Sequence, residues 1–404
     1  ALDMSGARVH FGSGGASPNI VDLETGRYRN STTKDLYDAA RLVDTLEHIH
    51  VFSRSMVATD APEPQSLDVN TAYAVLAGTA KHVCISCSDP AHMPDIARIC
   101  YELASGEESF RARPFMTIMV CHVVPPMRFA EEACETIEAA VLAGFPVQLI
   151  SAGQAGATSP ATIAGSLVQA VAETLAGFVF ARLVDENAQA IFAPKPLVAD
   201  LRTGAMCGGG GEQAILMAAA AQMGRYYDLP SSSIAGITDA KIADAQHGYE
   251  KNLAVSLAAH AGCNLVTQSC GMQASLLGCA LESYVIDNDM LGGIARSIRG
   301  VEVTPETIGA DVIADVSAGV GHYLGHEQTL ARMKSDYVYP HIADRRPPPD
   351  WESDGGKDMR ARALEKTREV LNRHYPGHIP DDIDRSLRSQ YDILLSRADV
   401  GREP

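Results

Sequence analysis

The densest group of side chains that could do chemistry lies between residues 239 and 250, where Asp239, Asp244, Gln246, His247 and Glu250 follow an apolar run ending at Ile237. A carboxylate at that point can face a bound cation, and it can equally cap the start of a helix by accepting backbone N–H groups. Its place at the end of an apolar run favours the first role for Asp239, and Asp244 suits the second. Gln268, beyond the next apolar run, offers its amide to a ligand. Gly153 and Gly156 turn the chain ahead of a helix expected to start at Pro160. Free N–H groups and a positive dipole end there would suit a carboxylate or phosphate, and a close-packed turn explains the same glycines. His322 and His326 stand one helical turn apart, but H-x-x-x-H without the Glu of the zinc proteases is a poor metal signal. Cys84-Ile-Ser-Cys87 lacks the second ligand pair of a structural zinc site and reads better as a strand end. No metal centre is expected.

Such residues need a frame, and the chain supplies one by alternating short apolar runs with longer amphipathic stretches, the rhythm of βαβ units. Strands are expected at 51–58, 82–87, 115–121, 146–151, 189–194, 232–237, 264–269 and, weakly, 283–287. Helices are expected at 33–46, 91–104, 128–143, 160–184, 212–227, 242–262, 302–317 and 356–374. Eight strands close a (β/α)8 barrel of the TIM type, an α/β fold. The expected division is an N-terminal extension or lid over 1–47, the barrel over 48–320 and a C-terminal helical appendage over 321–404.

The 404 residues carry 33 Lys and Arg against 50 Asp and Glu, a formal net charge of −17. That balance argues against nucleic acid or an anionic membrane as partner and is compatible with a cationic small molecule. Nine scattered cysteines without a secretory leader suggest reduced thiols and a cytoplasmic protein. No apolar run is expected to reach the about 20 residues that a membrane span requires. The chain starts at Ala1 without a methionine, which leaves room for a preceding segment.

The segment SAGQAGATSPATIAGSLVQAVAETLAGFVFARLV (151–184) is followed by GAMCGGGGEQAILMAAAAQMGRYYDLP (204–230) and ITDAKIADAQHGYEKNLAVSLAAHAGCNL (237–265). Then come LESYVIDNDM (281–290) and GHYLGHEQTLARMKSDYVYPHIADR (321–345). In this order they resemble the trimethylamine methyltransferase family, and the likeness runs from GASPNIVDLETGRYRNST (15–32) to the C-terminal helix. The resemblance implies a barrel whose mouth accepts a methylated amine and the corrinoid of a separate carrier protein. Cobalamin is thus the cofactor expected, held by the partner, and a homo-oligomer is the expected assembly. The founding members carry pyrrolysine in the active site, whereas every position here is an ordinary amino acid. The chain therefore resembles the non-pyrrolysine branch, whose known members act on quaternary amines such as glycine betaine.

Chemistry permits that branch. Direct demethylation of a tertiary amine would expel an amide-like anion, whereas a quaternary ammonium releases a neutral amine, so the protein need supply only positioning and desolvation. Glycine betaine or proline betaine is the favoured donor. Carnitine, choline and dimethylsulfoniopropionate fit the same physics, as does a barrel that binds betaine without catalysis. A phosphate-binding barrel using Gly208–Gly211 is weakened by Glu212, which would repel the anion. A quaternary cation is held well by aromatic faces, each worth about 0.5–2 kcal/mol. Phe52, His122, Phe192 and Tyr249, with Tyr323 beside His322, fit that role by position near strand ends. Asp239 and Gln268 are the expected catalytic pair. Gly153, Gly156, His322 and His326 are the expected corrinoid contacts.

Overall fold

Apolar runs that are too short for a helix and buried on both faces settle as strands inside a parallel sheet. In the computed structural model, which describes residues 2–319 and 321–402, the parallel strands are His10–Phe11 (β1), Val51–Ser53 (β2), His82–Ile85 (β3) and Met116–Cys121 (β4). They continue with Val147–Ser151 (β5), Ala190–Pro194 (β6), Ser232–Ser233 (β7) and Leu265–Val266 (β8). All but β1 fall inside expected runs. The run 283–287 is instead helical, lying within Leu281–Ile298. Its partner place is taken by β1, which pairs in parallel with β8 and belongs to the segment expected to be a lid.

Strands β2 to β6 form a five-stranded sheet in sequence order, and β1, β8 and β7 form a three-stranded one, every pair parallel. Single parallel bridges join the sheets at both edges, Gly12 to Val51 and Phe192 to Ser231. After each strand comes a helix: Thr33–Asp44 (α1), Pro64–Gly78 (α2), Met93–Leu103 (α3), Glu131–Leu142 (α4), Ile163–Val184 (α5), Gly211–Tyr226 (α6), Ala245–His260 (α7) and Leu281–Ile298 (α8). The result is a mixed α/β fold with parallel sheets.

Local chemistry sets the helix starts. Thr32 and Asp35 form a capping box on α1, and Asp44 at its far end accepts from Thr79. Asp244 caps α7 by accepting from the backbone of Gln246 (2.9 Å) and His247 (3.3 Å). The helix expected at 302–317 is broken into Pro305–Ile308 and Ala310–Ala318 at Gly309, whose φ of 63° no helix interior tolerates. Helix α5 departs from expectation as well, because by length and composition it is long and apolar enough to cross a membrane. It packs against β5 and β6 and buries Glu173.

Two C-terminal helices fold back on the others, Met359–Arg373 (α9) against α8 and α1 and Asp381–Gln390 (α10) against α3. Arg41 of α1 is fully buried there. It donates to the carbonyls of Leu371 (2.8 Å) and His374 (2.8 Å), pairs with Asp38 (2.8 Å) and lies 3.9 Å from the Tyr375 ring centre. Asp384 of α10 is equally buried, held by Tyr73, Arg388 (3.1 Å) and Arg397 (2.9 Å).

Candidate active site

Parallel strands all end on the same side, and the loops leaving those ends surround a cavity of about 520 Å³. Each strand contributes to its wall: Gly15 follows β1, Arg54 β2, Ser86 β3, Ala152 β5, Lys195 β6, Ile234 β7 and Gln268 β8, while Cys121 is the last residue of β4. Three loops meet at Gln268, whose φ of 55° is a strained value for a side-chain-bearing residue. A Cβ on Gly236 would lie 2.1 Å from the Gln268 carbonyl oxygen, and Gly14 takes a φ of 136° against the end of the Gln268 side chain, so both positions require glycine. The Gln268 amide is satisfied when its oxygen accepts from Gly15 N (3.3 Å) and its nitrogen donates to the Thr267 carbonyl (3.2 Å).

Two cations face this space. Lys195 is 2% exposed, and its Nζ has one hydrogen-bond partner, the Thr267 hydroxyl at 3.1 Å. Burial pulls its ammonium down to about 8. The Arg54 guanidinium makes no hydrogen bond or ion pair among the described residues, its Nε is buried without a partner, and burial lowers its pKa too. Asp68, whose charge acts on Arg54, is fully buried and occupied elsewhere, accepting from Ser88 N (2.9 Å), Ser88 Oγ (2.6 Å) and His92 Nδ1 (2.8 Å). Among the described lining residues Glu132 is the one carboxylate. The remaining wall is largely apolar, with Met119, Ile150, Leu197 and Leu276. Beyond β4 a hairpin of Val123–Val124 and Arg128–Phe129 leaves Val124, Met127 and Phe129 exposed.

Of the residues expected at the site, Gln268 lines the cavity. Asp239 does not; it accepts from Gly208 N (2.8 Å), Gly209 N (3.2 Å), Ser275 Oγ (2.5 Å) and the Cys207 thiol (3.1 Å). Desolvation raises its pKa, but these donors outweigh it and hold the carboxyl below the usual range. Asp239 thereby ties together the loops after β6, β7 and β8. Glu250 fixes the same corner, accepting from Thr238 Oγ1 (2.6 Å) and Asp239 N (2.8 Å).

The aromatic faces expected around a cation lie elsewhere. Phe52 and Phe192 are fully buried mid-strand, where the alternation of a strand sends their rings into the core; Phe192 meets Phe178 and Tyr227 there. His122 is buried with Nε2 2.9 Å from the Glu173 carbonyl, and Tyr249 stands 62% exposed on α7. None of the described lining residues is aromatic.

The expected corrinoid contacts are likewise off the cavity wall. Gly153 accepts from Leu197 N (2.9 Å), and Gly156 takes a φ of 86° in a turn against Leu201. The helix they precede starts at Ile163. His322 is exposed, as is Tyr323, and His326 caps the short helix Glu327–Arg332 with its ring accepting from Gln328 N at 3.1 Å. Among the described residues no group of three or more His, Cys, Asp or Glu could hold a metal ion. Arg54 and Lys195 escaped the sequence reading, although each directly follows an apolar strand run, Ser53 and Pro194 being the last strand residues.

A model of the trimethylamine methyltransferase (MTTB) family matches residues 1–394. The chain is 32% identical over 399 residues to trimethylamine methyltransferase MttB2 of Methanosarcina mazei, covering 97% of this chain and 79% of that protein. It is 30% identical over 386 residues to trimethylamine methyltransferase MttB of Desulfitobacterium hafniense, with 96% and 77% covered. Glycine betaine methyltransferase of the same species is 26% identical over 405 residues, with 99% and 82% covered. Among solved structures, 7,8-dihydropteroate synthase from Vibrio fischeri ES114 is similar with a TM-score of 0.43 and 12% identity, over 75% of this chain and 96% of that one.

Proposed function

This chain belongs to the trimethylamine methyltransferase family, and from that premise we propose that it moves a methyl group from a quaternary amine to the corrinoid of a carrier protein. Glycine betaine or proline betaine is the donor, and the cavity at the strand ends is the donor site. The observation that carries this reading is that one donor-sized cavity draws on the carboxyl end of every parallel strand, where α/β proteins of this type place their chemistry. The parallel pairing and the two edge bridges support a closed (β/α)8 barrel. The barrel so read runs from β1 to α8, and residues 321–404 are an appendage to it.

A reduced corrinoid, presented by the carrier, would supply the nucleophile for the methyl carbon. When the C–N bond breaks, its electron pair stays on nitrogen and the donor leaves as a neutral tertiary amine, so no side chain has to move a proton. The protein's part is to seat the donor with one methyl toward the open side and to exclude water. The apolar wall formed by Met119, Ile150 and Leu197 suits the weakly hydrated methyl groups. Gln268, clamped by the loops after β1 and β7, gives that wall a fixed position. Around the opening, exposed Val124, Met127 and Phe129 suit the largely apolar edge of a macrocycle presented by a carrier. Exposed Val179 and Leu183 of α5, Ile215 of α6 and Leu253 of α7 support self-association.

The test is incubation of the protein with Co(I) cobalamin and a panel of methylated amines, read by the methylcobalamin spectrum. A betaine should yield methylcobalamin while trimethylamine stays inert. Trimethylamine demethylated as fast as any betaine would sink the leaving-group argument.

A further inference from the structure

We infer that Arg54 and Lys195 form a carboxylate-binding subsite in the cavity wall, so that the methyl donor carries a carboxylate as well as its methylated onium centre. The inference deepens the methyltransferase reading and rests on it for the identity of the donor.

Two positive side chains lining one cavity, Lys195 fully buried and Arg54 half-buried, both lose hydration, which a folded protein tolerates when a counter-ion completes the arrangement. None is built in. The Arg54 guanidinium has no hydrogen bond or ion pair among the described residues, and its Nε is sealed from water without an acceptor. Lys195 Nζ has the Thr267 hydroxyl alone, and that hydroxyl already donates to the Ser233 carbonyl at 2.6 Å. The ionisable groups that face Lys195 are the thiols of Cys84, Cys121 and Cys263, all raised by desolvation and therefore neutral near pH 7. Glu132 and Arg54 are the other charges lining the cavity. An entering carboxylate supplies what both cations lack and can take a two-pronged contact from the guanidinium. The apolar wall of Met119, Ile150 and Leu197 then receives the onium methyl groups. Anchoring one end of a short zwitterion restricts where its methyl groups sit.

Lys195 also sets a pH signature. It must be protonated to hold the anion, and an ammonium titrating at about 8 loses roughly nine-tenths of its charge between pH 7 and pH 9, so affinity should fall about tenfold over that interval.

Titration calorimetry on the full chain tests the subsite with glycine betaine, proline betaine, carnitine, choline and inorganic phosphate as probes. At least one carboxylate-bearing onium compound should bind tenfold or more tighter than choline. Arg54→Gln or Lys195→Met should each weaken that ligand about tenfold or more and leave choline unchanged. The loss between pH 7 and pH 9 should vanish in Lys195→Met. The wild-type comparisons need no variant, so they decide the matter even if a substituted chain fails to fold. The proposal is overturned if no carboxylate-bearing probe binds better than choline, if the two variants bind it as well as wild type, or if phosphate binds tighter than every betaine. Methyl transfer to Co(I) cobalamin is scored separately. A chain that binds betaine through this pair but demethylates nothing refutes the methyltransferase reading and keeps the subsite. Choline demethylated as fast as any betaine, by wild type and variants alike, does the reverse.

Discussion

Arg41 and Arg54 are near neighbours in sequence, the first fully buried and the second half-buried, and their surroundings differ completely. Arg41, between α1 and the C-terminal appendage, spends its guanidinium on two backbone carbonyls, Asp38 and the ring of Tyr375. Arg54, at a strand end, has no partner among the described residues. The same division separates two buried lysines. Lys251 of α7 binds Asp287 at 2.7 Å, and Asp287 also takes His247 at 2.9 Å and Gly271 N at 2.9 Å, whereas Lys195 has a hydroxyl alone. Desolvation works against the Asp287 carboxylate, but Lys251 and His247 hold its pKa below the ordinary value. Where a buried charge serves the fold, this protein completes its shell from within. At the strand ends it leaves the shell open, and an open shell is what a ligand can close.

The sharpest way to break this contrast is to open a closed shell. Asp287→Ala would strand Lys251 and His247 in the interior and should lower stability by about 3–5 kcal/mol, read from denaturant unfolding. A wild-type midpoint would show that the network carries no weight.

The opposite substitution sharpens the contrast. Lys195→Met removes a buried charge that lacks a counter-ion, so the unliganded protein should be as stable as wild type or gain about 1–4 kcal/mol. The folded ammonium titrates at about 8, below its unfolded value. The penalty of burying it is therefore fully present below pH 8 and relieved as pH rises through the unfolded pKa of about 10.4. Wild-type stability should consequently gain a contribution between pH 8 and pH 10 that the variant lacks. Unfolding curves at pH 7 and pH 10 check this, and parallel pH dependence in the two proteins would contradict it.

Asp239 stands between these cases, a half-buried carboxylate closed by four donors from the loops around the cavity. Asp239→Asn should lower stability by about 1–2 kcal/mol and reduce kcat through displaced loops, with KM for the donor little changed. A rise in KM alone, at wild-type melting temperature, would return Asp239 to direct substrate contact. The smallest effect is expected at the rim. Met127→Ser should leave the fold and donor binding intact and raise the carrier concentration needed for half-maximal rate a few-fold, on the order of 1 kcal/mol.

How far the sequence announced all this depends on chain length within each element. The long helices α5 and α6 were legible from their length and small apolar residues, although the start of α5 moved from Pro160 to Ile163. The stretch 283–287 was ambiguous because a short apolar run fits a strand or a buried helix equally well. Here Tyr284, Val285, Asp287 and Asn288 are all buried in α8, which hides any polar face. Strand β1 has two residues, too few to write a pattern. Gln268, expected near the mouth from its place after an apolar run, lines the cavity. The aromatic cage was not there to be found, because Phe52 and Phe192 belong to the strands' own packing. Arg54 and Lys195 carried a readable signal, a basic residue directly after a strand, but identifying them required knowing that neither finds a partner.

The pairing of β1 with β8 also has a timetable. His10 meets Leu265 and Phe11 meets Val266, and Asn264 reaches the carbonyls of Gly6 (2.9 Å) and Arg8 (3.0 Å) along the same seam. During synthesis the N-terminal segment leaves the ribosome first, and its partner follows more than half a chain later. At about 5–20 residues per second the wait is on the order of ten to fifty seconds. This seam is a contact of very high sequence separation, so it forms among the last steps of folding. Until then β1 is an unpaired edge, and its two-residue length, followed directly by Gly12, Gly14 and Gly15, makes it a poor template for strands of neighbouring chains.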